Sequence, residues 1–240
     1  MFAATQQSFP AFSTKFEGRV PFMYLDIKGL VTVGVGNLVD PVEEAQALPF
    51  RFKNRPGINA RGSPATPDQI AAEWRALKSD LSLAARGYKA CEPITQLDLS
   101  DEAIDSLILK RLTQNESFLE RQQWFESFGS WPADAQMGLL SMAWAMGPAG
   151  PGNFPRFRAA CQKLDFRTAA AQCKMNETGN PGLIPRNQAN FTLFSNAAVV
   201  LAGEANGAFQ RSNLYYPRAL VPAGISAVGA PGTVPTGTVS

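Results

Sequence analysis

Hydrophobic residues recur at helical spacing through most of this chain. Ile70, Trp74 and Leu77 follow one another at steps of four and three, which places them on one helix face. The preceding stretch Thr66-Pro67-Asp68-Gln69 combines a capping-box pattern with proline at the first helical position. We therefore predict a helix at about 67–86. Similar spacing and end signals predict further helices at about 10–17, 100–128 (with a break), 133–147, 154–164, 166–174 and 184–201.

A shorter period appears near the N-terminus, in two runs rich in aromatic and β-branched residues. Between them, Asp26-Ile27-Lys28-Gly29 has aspartate first and glycine last, as type I turns prefer, so the pattern predicts a β-hairpin. In the second strand Val31, Val33 and Val35 would share one face, because side chains alternate across a strand. The other face would carry Leu30, Thr32, Gly34 and Gly36. That face would leave bare backbone around one hydroxyl group.

These elements predict an α+β fold that is mainly helical. A chain of 240 residues with 45% hydrophobic content can bury one core, or one core split across two lobes. We expect one domain over residues 1–204 and a C-terminal extension over 205–240. From about residue 221 the chain is rich in Gly, Pro, Ala, Val, Thr and Ser without any charge, which is typical of a flexible end.

The composition restricts the possible chemistry. The chain has no histidine, which excludes Ser-His-Asp and Cys-His mechanisms and the usual zinc ligand sets. Catalysis would therefore use carboxylates, hydroxyls or a thiol. A formal net charge of +2 is too balanced to predict nucleic-acid binding. Three cysteines without CxxC spacing do not predict a disulfide framework, and whether Cys161 and Cys173 pair stays open.

Candidate catalytic residues cluster around the predicted hairpin. Glu17 would end a short helix just before Gly18, Asp26 would begin the turn nine positions later, and Thr32 follows six positions after that. Bare glycine backbone beside two acids and a threonine leaves room for a ligand chain. Each feature alone is more often structural, since strand glycines usually mark bulges and a lone glutamate after a helix is usually solvated. The combination is more specific.

The combination resembles the phage-type lysozyme family. That family has Glu-Gly, then Tyr-x-Asp, then Gly-x-x-Thr-x-Gly-x-Gly, and this chain has Glu17-Gly18, Tyr24-Leu25-Asp26 and the matching run from Gly29 to Gly36 in that register. The resemblance covers about residues 8–37 and 100–200. It implies a lysozyme-like two-lobed fold with a small β-hairpin lobe and a helical lobe. Residues 38–99 have no counterpart and would be an inserted segment, which we expect to flank the cleft.

The resemblance also implies roles. Glu17, which we expect against a phenylalanine face that disfavours its ionised form, would be the general acid. Asp26 would be the base or an electrostatic stabiliser, and Thr32 would hold a water, with inversion of configuration at the sugar. The residues for substrate binding or positioning would be Tyr24, Gly34, Gly36 and Arg186, the last on a helix near the glutamate. No metal or organic cofactor is expected. Asn37 and Asn190 depart from the family, which usually has histidine and often glutamate there.

The implied activity is hydrolysis of the β-1,4 bond between N-acetylmuramic acid and N-acetylglucosamine in peptidoglycan glycan strands. Two alternatives stay open. A lytic transglycosylase would use Glu17 alone and leave an anhydro product, and a peptidoglycan-binding module would keep the groove without catalysis.

The start of the chain lacks the basic and apolar regions of a signal peptide, and no apolar run approaches the ~18 residues of a membrane span. We expect a bacteriolytic protein made in the cytoplasm that acts in the periplasm or cell wall of a target bacterium. Delivery as an interbacterial toxin effector or as a phage endolysin stays open. An effector would have a cognate immunity protein and a secretion-system component as partners. Neither nucleic acid nor stable membrane insertion is expected.

Overall fold

A computed structural model of the protein describes residues 1–221. This part of the chain is mainly helical with a small antiparallel sheet, as the hydrophobic pattern predicts. The helices are α1 (Ala3–Glu17), α2 (Val42–Gln46), α3 (Pro67–Lys78), α4 (Asp101–Glu120), α5 (Ala133–Met146), α6 (Pro155–Gln162), α7 (Phe166–Gln172) and α8 (Leu183–Glu204). The strands are β1 (Val20–Leu25), β2 (Val31–Gly34), β3 (Asn37–Leu38), β4 (Arg51–Phe52) and β5 (Leu97–Asp98).

The chain divides into two compact units. Residues 6–116 form one, which we call the hairpin unit. Residues 1–5 and 117–221 form the other, which we call the helical unit. Glu17, Asp26 and Thr32 therefore belong to one unit, and Arg186 belongs to the other.

The hairpin unit contains the predicted hairpin. Strands β1, β2 and β3 pair in that order as an antiparallel sheet. One face of β2 carries Val31 and Val33, both fully buried. The expected alternation, however, stops at Gly34. Val35 and Gly36 form the turn to β3, because Gly34 and Gly36 take positive φ angles of 68° and 70° that end an extended strand.

Helix α1 is longer than expected. It begins at Ala3 rather than near Pro10, and Pro10 lies inside it. Proline lacks a backbone N–H, so the sequence favoured a helix start at this position. The side chains of Ser13 and Thr14 donate hydrogen bonds to the Pro10 carbonyl, at 3.2 and 2.8 Å.

Residues 38–99 belong to the hairpin unit and attach to its sheet. The Trp74 indole on α3 donates to the Val39 carbonyl at 2.9 Å, and Leu99 N–H donates to the Pro21 carbonyl at 2.8 Å. Helix α3 ends at Lys78 instead of continuing to residue 86, and Leu81–Arg86 forms a separate 3-10 helix. The break has a local cause, because the Asp80 carboxylate accepts from the Ser82 backbone and starts the new element.

A polar cluster joins α3 to strand β5. The half-buried Glu73 carboxylate accepts hydrogen bonds from the backbone N–H groups of Gln96 and Leu97, at 2.5 and 3.1 Å. Burial raises the pKa of Glu73 to about 7. The buried Lys53 ammonium lies 3.7 Å from the Asp98 carboxylate, and burial lowers the pKa of Lys53 while raising that of Asp98. Burial therefore disfavours the charged forms of all three side chains of this cluster.

The helical unit is built around α5, on which every residue from Ala133 to Trp144 is buried. Gly138 lets α8 approach closely, because a Cβ at this position would lie 2.9 Å from the Phe194 ring. Cys161 and Cys173 are buried free thiols, so they do not pair, and burial raises the pKa of both. The core aromatic rings of this unit contact one another mostly edge to face or tilted, with Phe166 and Phe194 stacked, and they include Phe125, Trp131, Phe157, Phe166 and Phe194.

The segment after α8 is anchored through two buried side chains. Asp134 accepts from the backbone N–H groups of Tyr215 and Tyr216, at 2.8 and 3.0 Å. Asn196 donates to the Arg218 carbonyl and accepts from Leu220 N–H, each at 2.8 Å. The extension therefore belongs with the helical unit up to this point. The flexible end expected from about residue 221 lies, beyond that residue, outside the described part of the chain.

We expect Glu73→Gln to change how stability depends on pH. The raised pKa means that the folded state binds the Glu73 proton more tightly than the unfolded state, so the unfolding free energy falls as pH rises from 4.5 to about 7. The shift corresponds to about 3 kcal/mol. Urea unfolding at pH 5 and pH 8 should show Glu73→Gln gaining stability over wild type only at the higher pH. Glu44→Gln removes an exposed carboxylate from α2 as the control, and parallel curves for Glu73→Gln and wild type would contradict the assignment.

Replacing either of two buried asparagines on α8 by leucine should change the unfolding free energy, but in opposite directions. Neither the Oδ1 nor the Nδ2 atom of Asn190 has a hydrogen-bond partner within residues 1–221, whereas Asn187 bonds both backbone groups of Met175, each at 2.9 Å. Asn190→Leu should raise the unfolding free energy by about 1–2 kcal/mol, because an unpaired amide leaves the core. Asn187→Leu should lower it by about 2–3 kcal/mol by orphaning two backbone groups. Thermal unfolding of both variants distinguishes these cases, and an equal loss in both would refute the difference.

Candidate active site

Glu17 is the last residue of α1, and a glycine cap fixes the helix end. Gly18 has a φ of 74°, and its N–H donates to the Thr14 carbonyl at 3.0 Å, which is the single-bond form of the left-handed cap. The Phe12 and Phe16 rings contact each other with their centroids 5.0 Å apart, but Glu17 is exposed. Successive helix residues point about 100° apart, so Glu17 leaves the face that buries Phe12. The expectation that burial shields Glu17 is therefore wrong.

Asp26 begins the hairpin turn and holds it with both backbone and side chain. Its carbonyl accepts from Gly29 N–H at 2.9 Å, as in a type I turn, and Gly29 has a φ of 74°. Its Oδ1 atom accepts from the N–H groups of Lys28 and Leu30, at 2.8 and 2.9 Å. Both side-chain bonds use Oδ1, so the turn fixes the direction of the carboxylate while Oδ2 takes no part in it.

Thr32 lies in the middle of β2, opposite Tyr24 on β1 and Leu38 on β3. Directly paired residues share a face of the sheet, so the Tyr24 phenol and the Thr32 hydroxyl lie side by side. Thr32 is only 5% exposed, and its hydroxyl donates to the Leu30 carbonyl at 3.3 Å. The hydroxyl proton is thus used in the bond to Leu30, and the hydroxyl oxygen can accept a hydrogen bond from another group.

The negative charges of both candidate carboxylates affect the pKa of the Tyr24 side chain. Its pKa is raised to about 12, first by burial and then by the negative charges of Glu17 and Asp26. The half-buried phenol is therefore within electrostatic range of the two acids and keeps its proton as a hydrogen-bond donor at neutral pH. Glu17, Asp26, Tyr24 and Thr32 consequently belong to one neighbourhood of the hairpin unit.

Gly36 borders the same neighbourhood from the turn between β2 and β3. A Cβ at this position would lie 4.0 Å from Glu17 Oε2, so the Gly36 backbone runs beside the Glu17 carboxylate. The Arg111 guanidinium, from α4, donates to the Gly36 carbonyl at 3.0 Å. Asn37 supports the turn from its other end, because its Oδ1 accepts from Val35 N–H at 3.3 Å. This turn is held from two sides where it passes Glu17.

Gly34 does not lie on an open surface as expected. It is buried, and a Cβ there would lie 3.2 Å from Ile104 Cγ2 and 3.3 Å from Asn37 Oδ1. The positive φ of Gly34 turns it toward the α4 side chains instead of continuing the strand. Its assignment to substrate binding is therefore wrong, and its role is in packing.

Arg186 lies on α8 in the helical unit and is 1% exposed. It donates to the Ser141 carbonyl at 3.3 Å, on α5 of the same unit. This hydrogen bond gives Arg186 a structural role, because it links α8 to α5. The role expected of Arg186 beside the catalytic glutamate stays a prediction.

Sequence reasoning missed two residues of this neighbourhood. Arg111 follows Gly36 by 75 positions, so no local pattern links the two residues. Tyr88 comes from residues 38–99, and its ring lies 6.0 Å from the Tyr24 ring. A tyrosine directly after Gly87, between the basic residues Arg86 and Lys89, was the available signal.

Two kinds of feature are absent from residues 1–221. No group of three or more His, Cys, Asp and Glu side chains in this part of the chain is placed to hold a metal ion. None of its helices combines the length and the apolar character needed to cross a membrane.

Comparison of the chain with known proteins gives no match, either to a protein-family model or to a curated protein. A functional argument for this protein consequently rests on its own residues and their geometry.

Gly34→Ala and Gly18→Ala should differ in their effect on stability. Both glycines have similar φ angles, 68° and 74°, so alanine pays about 1–2 kcal/mol for a left-handed backbone at either position. Only Gly34→Ala adds a steric conflict, since nothing lies within 4 Å of a Cβ at Gly18. Overpacking adds about 1–3 kcal/mol. Chemical denaturation should therefore show a larger loss for Gly34→Ala, and equal losses would indicate that Gly34 faces open space after all.

Proposed function

We propose that this protein is a peptidoglycan muramidase with a lysozyme-like two-lobed fold, which hydrolyses the β-1,4 bond between N-acetylmuramic acid and N-acetylglucosamine. One observation carries the proposal. Asp26 begins the hairpin turn two residues after Tyr24, which is paired across the sheet with Thr32, and the Glu17 carboxylate lies beside the Gly36 turn that follows the same strand. Hydrolysis of a glycosidic bond requires two carboxyl groups, and a nearby hydroxyl can help to orient the attacking water.

In the proposed reaction Glu17 donates its proton to the oxygen that leaves the broken bond. Its exposure lets a glycan oxygen approach, and the Gly36 backbone beside it presents no side chain to obstruct a sugar. Once the substrate covers this surface, water is excluded from the reacting groups. Arg111 positions the Gly36 turn through its bond to the Gly36 carbonyl.

Thr32 and Asp26 would orient the attacking water. Because the Thr32 hydroxyl gives its own proton to the Leu30 carbonyl, its oxygen accepts a hydrogen from the water. The water gives its other hydrogen to the Asp26 carboxylate, which takes the proton as the bond to the sugar carbon forms. A lone pair of the water then points to the anomeric carbon. Attack from the face opposite the leaving oxygen inverts the configuration and needs about 6.5–9.5 Å between the two carboxyl groups.

A lytic transglycosylase is the second candidate, because one observation favours it. The two backbone N–H bonds to Asp26 Oδ1 give this aspartate a structural role that needs no catalysis. The reaction would then require Glu17 alone, and the sugar's own hydroxyl would replace water and leave an anhydro end. A peptidoglycan-binding module without activity is the third possibility. The bacteriolytic setting, with delivery as an interbacterial effector or as an endolysin, is part of the proposal.

Purified peptidoglycan treated with wild type, Glu17→Gln, Asp26→Asn and Thr32→Val tests the proposal. Loss of a general acid or base typically lowers the rate by about 10²–10⁴-fold. We expect losses of that size for Glu17→Gln and Asp26→Asn and a smaller loss for Thr32→Val, measured as soluble muropeptides by mass spectrometry. Asparagine keeps an Oδ1 acceptor for the two turn bonds, so Asp26→Asn should retain the fold.

Glu44→Gln is the control for removal of an exposed carboxylate and should release muropeptides at the wild-type rate. Reducing ends in the products support hydrolysis, and initial products in the α configuration support inversion. Anhydro ends with full activity of Asp26→Asn would establish the transglycosylase instead. A folded wild type that binds peptidoglycan and releases nothing would leave only the binding module.

A further inference from the structure

Residues 38–99 bring an exposed aromatic side chain to the candidate active site. Tyr88 is 43% exposed. Its ring meets the Tyr24 ring edge to face at 6.0 Å and lies 6.5 Å from the Phe22 ring at a tilt of 38°. Phe22 and Tyr24, both on β1, therefore contact the same ring, and Tyr24 is paired across the sheet with Thr32. Tyr88 therefore extends the aromatic surface of the face that holds the candidate catalytic residues.

The backbone around Tyr88 is anchored to the sheet. Gly87 takes a φ of 77°, and its carbonyl accepts from Ala90 N–H at 3.0 Å. The Tyr88 carbonyl accepts from Cys91 N–H, also at 3.0 Å. The fully buried Cys91 thiol in turn accepts a hydrogen bond from Leu25 N–H of β1 at 3.5 Å. A short turn with a buried anchor thus fixes where Tyr88 stands.

A second exposed side chain from the same segment lies against the catalytic turn. Leu81 is 58% exposed, and its Cδ2 would lie 3.3 Å from a Cβ at Gly29, the last residue of the turn that Asp26 begins. Single exposed apolar residues are common and need no explanation. Here, however, Leu81 lies beside the turn that Asp26 begins and Tyr88 contacts the Tyr24 ring, so residues 38–99 bring two such side chains to the hairpin.

We propose that Tyr88 is a sugar-stacking residue, by which residues 38–99 add a glycan-binding subsite beside Glu17 and Asp26. This inference rests on the proposed function. One face of a pyranose ring exposes a row of C–H groups, which pack favourably against the electron-rich face of an aromatic ring. An aromatic side chain that is rigidly placed and half open to solvent can receive such a face with little loss of entropy. The occupant is a sugar of the glycan strand on one side of the bond that is cut.

The test measures oligosaccharide binding separately from cleavage. Calorimetric titration of chitin hexasaccharide into Glu17→Gln, and into the same protein with a second change at Tyr88, gives the dissociation constants. An aromatic contact of this kind corresponds to about a three- to tenfold change in affinity. We expect Tyr88→Ala to weaken binding by that factor and Tyr88→Phe to preserve it, because the ring and not the hydroxyl makes the contact.

Tyr88→Leu and Ile94→Ala separate stacking from packing. Leucine keeps an apolar side chain against Tyr24 and Phe22 but has no planar face, so Tyr88→Leu should also lose affinity. Ile94 is exposed on the same segment, at 46%, and Ile94→Ala should bind as the parent does. In the otherwise wild-type enzyme, Tyr88→Ala should raise KM severalfold for soluble glycan strands and change kcat by less than twofold.

The outcomes distinguish this inference from the function on which it rests. If the wild type cleaves peptidoglycan and Tyr88→Leu binds and cleaves as the wild type does, the stacking role fails while the muramidase stands. If the wild type binds glycan without cleaving it and Tyr88→Leu weakens that binding, the subsite stands and the hydrolase fails. A folded wild type that neither binds nor cleaves overturns both.

Discussion

The turn that Asp26 begins is the constraint on which the candidate site depends. Its backbone bond to Gly29 and its two side-chain bonds, to Lys28 and Leu30, fix where β1 ends and β2 begins. This fixes the register that pairs Tyr24 with Thr32. A slip of one residue would exchange the two faces of the strand and carry the threonine hydroxyl away from the phenol. The same carboxylate that is assigned to catalysis therefore also sets the geometry in which catalysis would take place.

The other edge of the site is made by backbone rather than by side chains. Gly34 and Gly36 turn the chain sharply after β2, and Asn37 and Arg111 hold the two ends of that turn by hydrogen bonds. The two glycines have different reasons to be glycine. Gly34 makes room for Ile104, whereas Gly36 passes 4.0 Å from the Glu17 carboxylate. The chain thus packs closely against Ile104 at Gly34 and passes close to the Glu17 carboxylate at Gly36.

Residues 38–99 are part of the hairpin unit, and they stabilise its sheet as well as extending it. Trp74 and Lys78 reach the hairpin from α3, with the Lys78 ammonium donating to the Gly29 carbonyl and to Asp40. Cys91 receives a hydrogen bond from β1 next to the ring of Tyr88. Burial disfavours the charged forms of Glu73 and Lys53, so holding these two side chains inside residues 38–99 costs stability. Residues 38–99 are thereby joined directly to the candidate site.

The sequence by itself determined most of the longer helices, the hairpin and its turn, because these follow from hydrophobic period and from local turn chemistry at Asp26 and Gly29. It also restricted the chemistry, since a chain without histidine excludes Ser-His-Asp and Cys-His mechanisms. Only the tertiary structure decided which side Gly34 faces, that Glu17 is exposed, that α1 runs through Pro10 and that Arg111 and Tyr88 reach the site. These outcomes depend on contacts between residues distant in the chain. A local pattern carries no information about which distant side chain fills the space beside it.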